Sequence, residues 1–216
     1  VIESLVDRKP FGSIIAVGDK STLVNINGLN LSGGSDSSVN GIFASGAMSL
    51  HRHKMVKITN SYFHHNHADD GLNIKNSQFN LSGNKFLNNH ADQVDIDFST
   101  GRVVDNSFLL ETDKESSVVN SNLSDNGDGV DLSGSRVLVM KNIFKGLLDK
   151  ALSIGEKTTA FVNDNSFINN RSAVTAKDQS DVFLRSNKYE NNKLNIETYQ
   201  KKNFFKNPKV YILNES

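Results

Sequence analysis

An aromatic residue recurs at Phe63, Phe86, Phe108, Phe144, Phe167 and Tyr189, in steps of 23, 22, 36, 23 and 22 residues. A period this regular constrains the fold more than any single motif does. Each repeat must bury its apolar face on its neighbours, and only a few architectures stack units of this length. The long step reads as one period plus about 14 inserted residues. Five of the six aromatics have Asn two positions earlier: Asn84, Asn106, Asn142, Asn165 and Asn187.

Two apolar pairs keep the same phase. One precedes the aromatic, as in Val56/Ile58, Phe79/Leu81, Gly101/Val103, Val137/Val139, Ala160/Val162 and Val182/Leu184. The other opens each unit, as in Leu72/Ile74, Val94/Ile96, Val130/Leu132, Leu152/Ile154, Val174/Ala176 and Leu194/Ile196. Partners two residues apart are a strand pattern, one side chain in and the next out. A unit of ~22 residues is too short for a strand-helix-strand crossover of ~30. It suits one coil of a parallel β-helix. A leucine-rich repeat has a similar period, but its Leu-x-x-Leu-x-Leu frame is missing. A β-sandwich would not keep the pairs in phase.

Composition agrees. The chain of 216 residues carries 28 Asn and only two Pro. Asn is poor inside helices but tolerates the left-handed backbone of tight turns. It also ladders where like turns stack. There is no Cys, which excludes disulfides and thiol catalysis. Zero net formal charge argues against nucleic acid as partner, and no apolar run is long enough for membrane insertion.

The sequence predicts a single domain over 1–216. Residues 1–41 form an N-terminal coil and loop, and 42–205 the regular coils, with an insertion at about 109–126. Residues 206–216 form a C-terminal cap, with Phe204 and Phe205 plugging the core. No signal-peptide pattern opens the chain; either another domain precedes Val1 or the short N-terminal segment closes that end poorly.

Stacking turns the alignment into a map of the outer surface. On the first strand one outward column reads Ser49, Asn73, Asp95, Asp131, Ser153, Thr175, Asn195. The next reads His51, Lys75, Asp97, Ser133, Gly155, Lys177, Glu197. Like positions lie ~4.8 Å apart between coils. Asp95, Asp97, Asp131, Lys75 and His51 should therefore cluster, and they are the candidate catalytic residues. Three chemistries suit them: a glycosidase-type acid/base pair, a Ca²⁺ site, or a solvated face on which Lys75 and its polar neighbours satisfy the carboxylates.

The tetrapeptide Asn-His-Ala-Asp occurs at 66–69 and again at 89–92. The anchors place both copies in the turn before the first strand, with His67 over His90 and Asp69 over Asp92. Those four side chains are a candidate metal set for a transition ion such as Zn²⁺. The alternative is that equal turns need equal residues.

The segments "ITNSYFHHN", "FLNNHADQVDI" and "DNSFINN" resemble right-handed parallel β-helix repeats of the pectate-lyase-like superfamily, over about residues 42–205. The resemblance implies an all-β, right-handed solenoid of about eight coils. "NGDGVDL" and "LLDKALSIGE" are similar to two blocks of polygalacturonase-type hydrolases, with Asp128 and Asp149 at acidic positions. Lys150 stands where the second block has its second Asp, and the Gly-His-Gly and Arg-Ile-Lys blocks are missing. The expected function is a carbohydrate-associated module of an exported or surface bacterial protein, non-catalytic or catalytically degenerate. Its partner would be a polysaccharide or a neighbouring domain, with Ca²⁺ as possible cofactor. The alternatives are an active polysaccharide hydrolase or lyase and a purely structural spacer.

Overall fold

The computed structural model describes residues 1–3, 9–111 and 127–213. The expected insertion lies outside the described residues from 112 onward. Among the described residues the regular structure is all strand. Three parallel sheets hold eight, eight and seven strands, and neighbours within a sheet come from successive coils. One coil runs through Asp92–Asp97 on the first sheet, Thr100–Val104 on the second and Ser107–Leu109 on the third.

The inward columns are the ones the repeat predicts. Val94 pairs with Val130 and Ile96 with Leu132 across the insertion. Val103 pairs with Val139 in the second sheet, and Phe108 with Phe144 in the third. The rings from Phe63 to Tyr189 stack with centroids 4.9–5.5 Å apart. All five phenylalanines of that stack are fully buried.

Asparagine makes the corners possible. Asn60, Asn76, Asn88, Asn169 and Asn191 sit at positive φ, where a short amide side chain is tolerated. The Asn found two residues before five of the six aromatics builds an internal ladder. The Oδ1 of Asn106 accepts the backbone N–H of Asn84 at 2.9 Å and its Nδ2 at 3.0 Å. Asn142, Asn165 and Asn187 repeat the pattern. Buried corner backbone is thereby paired, as it must be away from water.

The first coil is Ile14–Val17, Leu23–Asn27 and Asn30–Ser32, as expected from its apolar residues. An antiparallel hairpin, Ser37–Val39 with Ile42–Ala44, leads into the second coil.

The last coil differs from expectation. The repeat predicts Leu194/Ile196 as the inward pair. Instead Ile196 pairs with Val174 and Thr198 with Ala176, and Leu194 is 43 % exposed. The distance from the aromatic decides the register. Val174 follows Phe167 by seven residues and Ile196 follows Tyr189 by seven, so the apolar Leu194 falls out of phase. Glu197 and Tyr199, not Asn195 and Glu197, complete the outward columns. The expected cap contributes a strand, Lys209–Ile212, to the second sheet. Phe204 does not plug the core but is 80 % exposed.

Candidate functional site

The outer face of the first sheet carries three columns rather than two. The added one lies two residues before the first inward residue: Gly46, Asp70, Asp92, Asp128, Lys150, Ser172, Leu194. Its members pair coil to coil where the strands run that far. It faces the same way as the middle column, since the hydroxyls of Ser172 and Thr175 are 2.8 Å apart and Gly46 N–H donates to Ser49 Oγ at 3.1 Å. Six carboxylates consequently share one face: Asp70, Asp92, Asp95, Asp97, Asp128 and Asp131. On the next coils they meet Lys150 and Lys177.

The contacts run along the coils. His51 Nε2 lies 2.7 Å from Asn73 Oδ1, and Asn73 Nδ2 donates to Asp95 Oδ2 at 2.8 Å. Lys75 pairs with Asp97 at 3.3 Å. Lys150 pairs with Asp128 at 3.3 Å and also with Asp149. The nearly buried Lys177 approaches Asp131 at 3.6 Å. Asp128 N–H donates to Asp92 Oδ1 at 2.5 Å.

This face is not a plain solvated surface. Ser49, Asn73, Ser153 and Thr175 of the middle column are all buried. Asp70 Oδ2 and Ser153 Oγ are shut away from solvent without a hydrogen-bond partner, and Asp131 Oδ1 has only the Lys177 ammonium at 3.6 Å, an uncommon state for buried polar atoms. Burial raises the carboxyls. Asp70 is pushed up to about 7 by burial and by Asp69, Asp97 and Asp131. Asp128 is pushed up to about 6 by burial and Asp131, with Lys150 and Lys177 pulling it back. Burial and neighbouring carboxylates drive Asp92 and Asp95 well above the usual carboxylate range. Burial pulls the Lys150 ammonium down, but Asp128 and Asp149 more than reverse this.

Asp92, Asp128 and Asp131 each offer an oxygen, and these lie within 4.8 Å of one another. Two oxygens bound to one Ca²⁺ at 2.3–2.6 Å can stand up to about 5 Å apart. The three carboxylates therefore fit a hard divalent cation.

The family described as a right-handed beta helix region matches residues 106–211. The chain is a right-handed parallel β-helix. No curated protein matches the sequence of this β-helix. Among solved structures it is compared with HetL, a pentapeptide repeat protein involved in heterocyst differentiation regulation in the cyanobacterium Nostoc sp. strain PCC 7120. The two share 10 % identity over 83 % of this chain and 90 % of that one; the TM-score of 0.17 is too low to carry an argument.

Of the residues singled out from sequence, Asp95 and Asp131 are register partners on adjacent coils of the β-helix. Asp97 lies beside Lys75, and Lys75 beside His51. The four-residue transition-metal set does not assemble. Asp92 stacks on Asp70, not on Asp69, because the turn after His67 has one residue more than the turn after His90. His67 and Asp69 point into solvent. Among the described residues only Asp92 of the four joins a group of three potential metal ligands. Asp70, Lys150, Ser153 and Lys177 are not among the candidate site residues that the sequence predicts. Reading one column further toward the N-terminus would have found Asp70 and Lys150. The burial of Ser153 and Lys177 leaves no mark in the sequence.

Proposed function

We propose that this β-helix is a carbohydrate-associated module of an exported bacterial protein, and that it meets its polysaccharide on the acidic face of the first sheet through a divalent cation. The observation that supports the reading best is the convergence of Asp92, Asp128 and Asp131 oxygens within 4.8 Å. Carboxylates this close repel one another, and a Ca²⁺ ion relieves the repulsion while leaving coordination positions for sugar oxygens. Asp70 Oδ2 and Ser153 Oγ, buried without partners, add polar capacity on the same face.

A second reading, an active polysaccharide hydrolase or lyase, draws on Asp128 at about 6 and Asp70 at about 7. Carboxyls poised near neutrality can donate a proton to a leaving oxygen, while an ionised neighbour takes one up. Lys177, nearly buried against Asp131, is placed to neutralise charge or act as base.

One experiment separates these readings. The protein is put on a glycan array with and without Ca²⁺, and reducing ends and unsaturated products are assayed on the same sample. The binding reading expects Ca²⁺-dependent retention without product, lost in Asp92→Asn and Asp131→Asn. Product formation that disappears in those folded variants makes the protein an enzyme. Neither retention nor product overturns both readings and leaves a spacer.

A further inference from the structure

Phe98 breaks a pattern. It occupies the left-handed position that follows the six middle strands of the eight-stranded first sheet, at φ 47°. The same position in other coils holds Arg52, Asn76, Gly134, Glu156 and Asp178, all at positive φ and none of them apolar. A bulky aromatic is costly there, because its Cβ crowds the backbone. The ring is not buried in return, being 54 % exposed. It rests on the next coil against Gly134, where a Cβ would stand 2.6 Å from Phe98 Cδ1. Lys75 Nζ lies 5.8 Å from the ring centroid.

On the preceding coils the ring borders a furrow of about 330 Å³, lined also by Lys20, Lys54, Asn76, Gln78 and Thr100. The furrow begins where the acidic face ends, since Asp97 directly precedes Phe98. It joins an apolar ring, two lysines and several amide and hydroxyl groups. Those are the parts a charged sugar needs: its C–H face packs on an aromatic, its anionic group meets ammonium groups, and its hydroxyls find hydrogen-bond partners.

We propose that this furrow is a subsite for a sugar ring carrying an anionic group, with Phe98 as the platform and Lys20 and Lys54 as the charge readers. The proposal deepens the glycan reading above and rests on it. It assigns the strained backbone of Phe98 a purpose, since strain that packing does not demand is characteristic of binding sites.

The test is affinity electrophoresis in Ca²⁺ buffer through gels containing dextran sulfate, hyaluronan or neutral dextran. Wild-type protein should be retarded by sulfated dextran, by hyaluronan or by both, and the two arms tell a sulfate ligand from a carboxylate. Phe98→Asn puts a residue suited to the left-handed region in place of the ring. Retardation should weaken about tenfold, while the thermal midpoint rises by about 2–4 °C. A Lys20→Gln/Lys54→Gln variant should lose the preference for charged over neutral dextran. If Phe98→Asn binds as tightly as wild type, or melts lower, the platform is refuted. Equal retardation of wild type by all three polymers refutes the charge reading but leaves glycan binding standing. No retardation by any polymer removes the subsite, and if the glycan array is also blank, the glycan reading falls with it.

Discussion

Replacing Asn106 with Ala should cost far more than its place in a turn suggests. Asn106 Nδ2 donates to Leu81 O at 3.0 Å, Val104 O at 3.0 Å and Asn142 Oδ1 at 3.1 Å. Its Oδ1 accepts the N–H of Asn84 at 2.9 Å and the Nδ2 of Asn84 at 3.0 Å. Truncation removes these contacts, in which the two Nδ2 hydrogens are shared among three acceptors, at about 1 kcal/mol per full hydrogen bond in net terms, though not additively. Asn84 Nδ2 keeps Ile58 O, but the Asn84 N–H is left buried without an acceptor, at a cost of about 1–3 kcal/mol. We expect a loss of about 3–5 kcal/mol in urea unfolding followed by far-UV circular dichroism. Asn195→Ala, at an exposed site with one 3.4 Å contact, should change stability by about 0.5 kcal/mol or less. Asn106→Asp adds a sharper test. Its second oxygen would face three acceptors, so the carboxyl must stay protonated in the fold. Its folded pKa then exceeds the unfolded one, and the variant should weaken as pH rises above ~4. If Asn106→Ala matches Asn195→Ala within about 1 kcal/mol, the ladder does not hold the coils together.

Other consequences are as direct. Asp70 at about 7 and Asp128 at about 6 both lie above the ordinary carboxyl value of 3.8; the native state thus binds these protons more tightly than the unfolded chain. The stability they contribute is full below pH ~4 and is lost as pH rises to ~7. In chelator the thermal midpoint should accordingly fall across that window, and Ca²⁺ at pH 7 should restore it; a midpoint that climbs from pH 4 to 7 in chelator contradicts the site. Gly101→Val follows the repeat, since Val137 and Val56 share its column, yet it should destabilise. A Cβ at Gly101 would stand 2.7 Å from Phe79 Cγ and press on the Phe79 carbonyl, and overpacking of this kind costs about 1–3 kcal/mol. A gain in urea midpoint would show that the Phe79 ring does not fill this space.

The fold was legible because its determinants are local and repeated. An inward pair, an Asn and an aromatic recur at set distances, and Phe108 over Phe144 follows even across the insertion. The site was only half legible. Asp95, Asp97 and Asp131 stand out because they alternate with inward residues. Asp70 does not, since one extra residue in the turn after His67 moves it, rather than Asp69, under Asp92. Leu194 misled for a related reason: apolar character suggested an inward place that the distance from Tyr189 denies. The burial of Thr175 and Lys177 depends on what packs around an outward column, and no periodicity encodes that. Phe98 is visible in the sequence as an aromatic after Asp97, but only the backbone shows that it sits at a left-handed position.

The central claim is vertical register, and the chain's lack of cysteine allows a clean test. Arg102 and Leu138 are register partners on adjacent coils of the second sheet, on either side of the insertion. Strand neighbours lie ~4.8 Å apart, within the ~4.4–6.8 Å that a disulfide spans. Met140, two residues on, lies at ~8 Å from Arg102 by strand geometry, beyond that reach. Under mild oxidation Arg102→Cys/Leu138→Cys should cross-link nearly completely within the monomer, and Arg102→Cys/Met140→Cys should stay reduced. Cross-linking of the second pair in preference to the first would mean the coils are stacked otherwise, and the carboxylate cluster would dissolve with them.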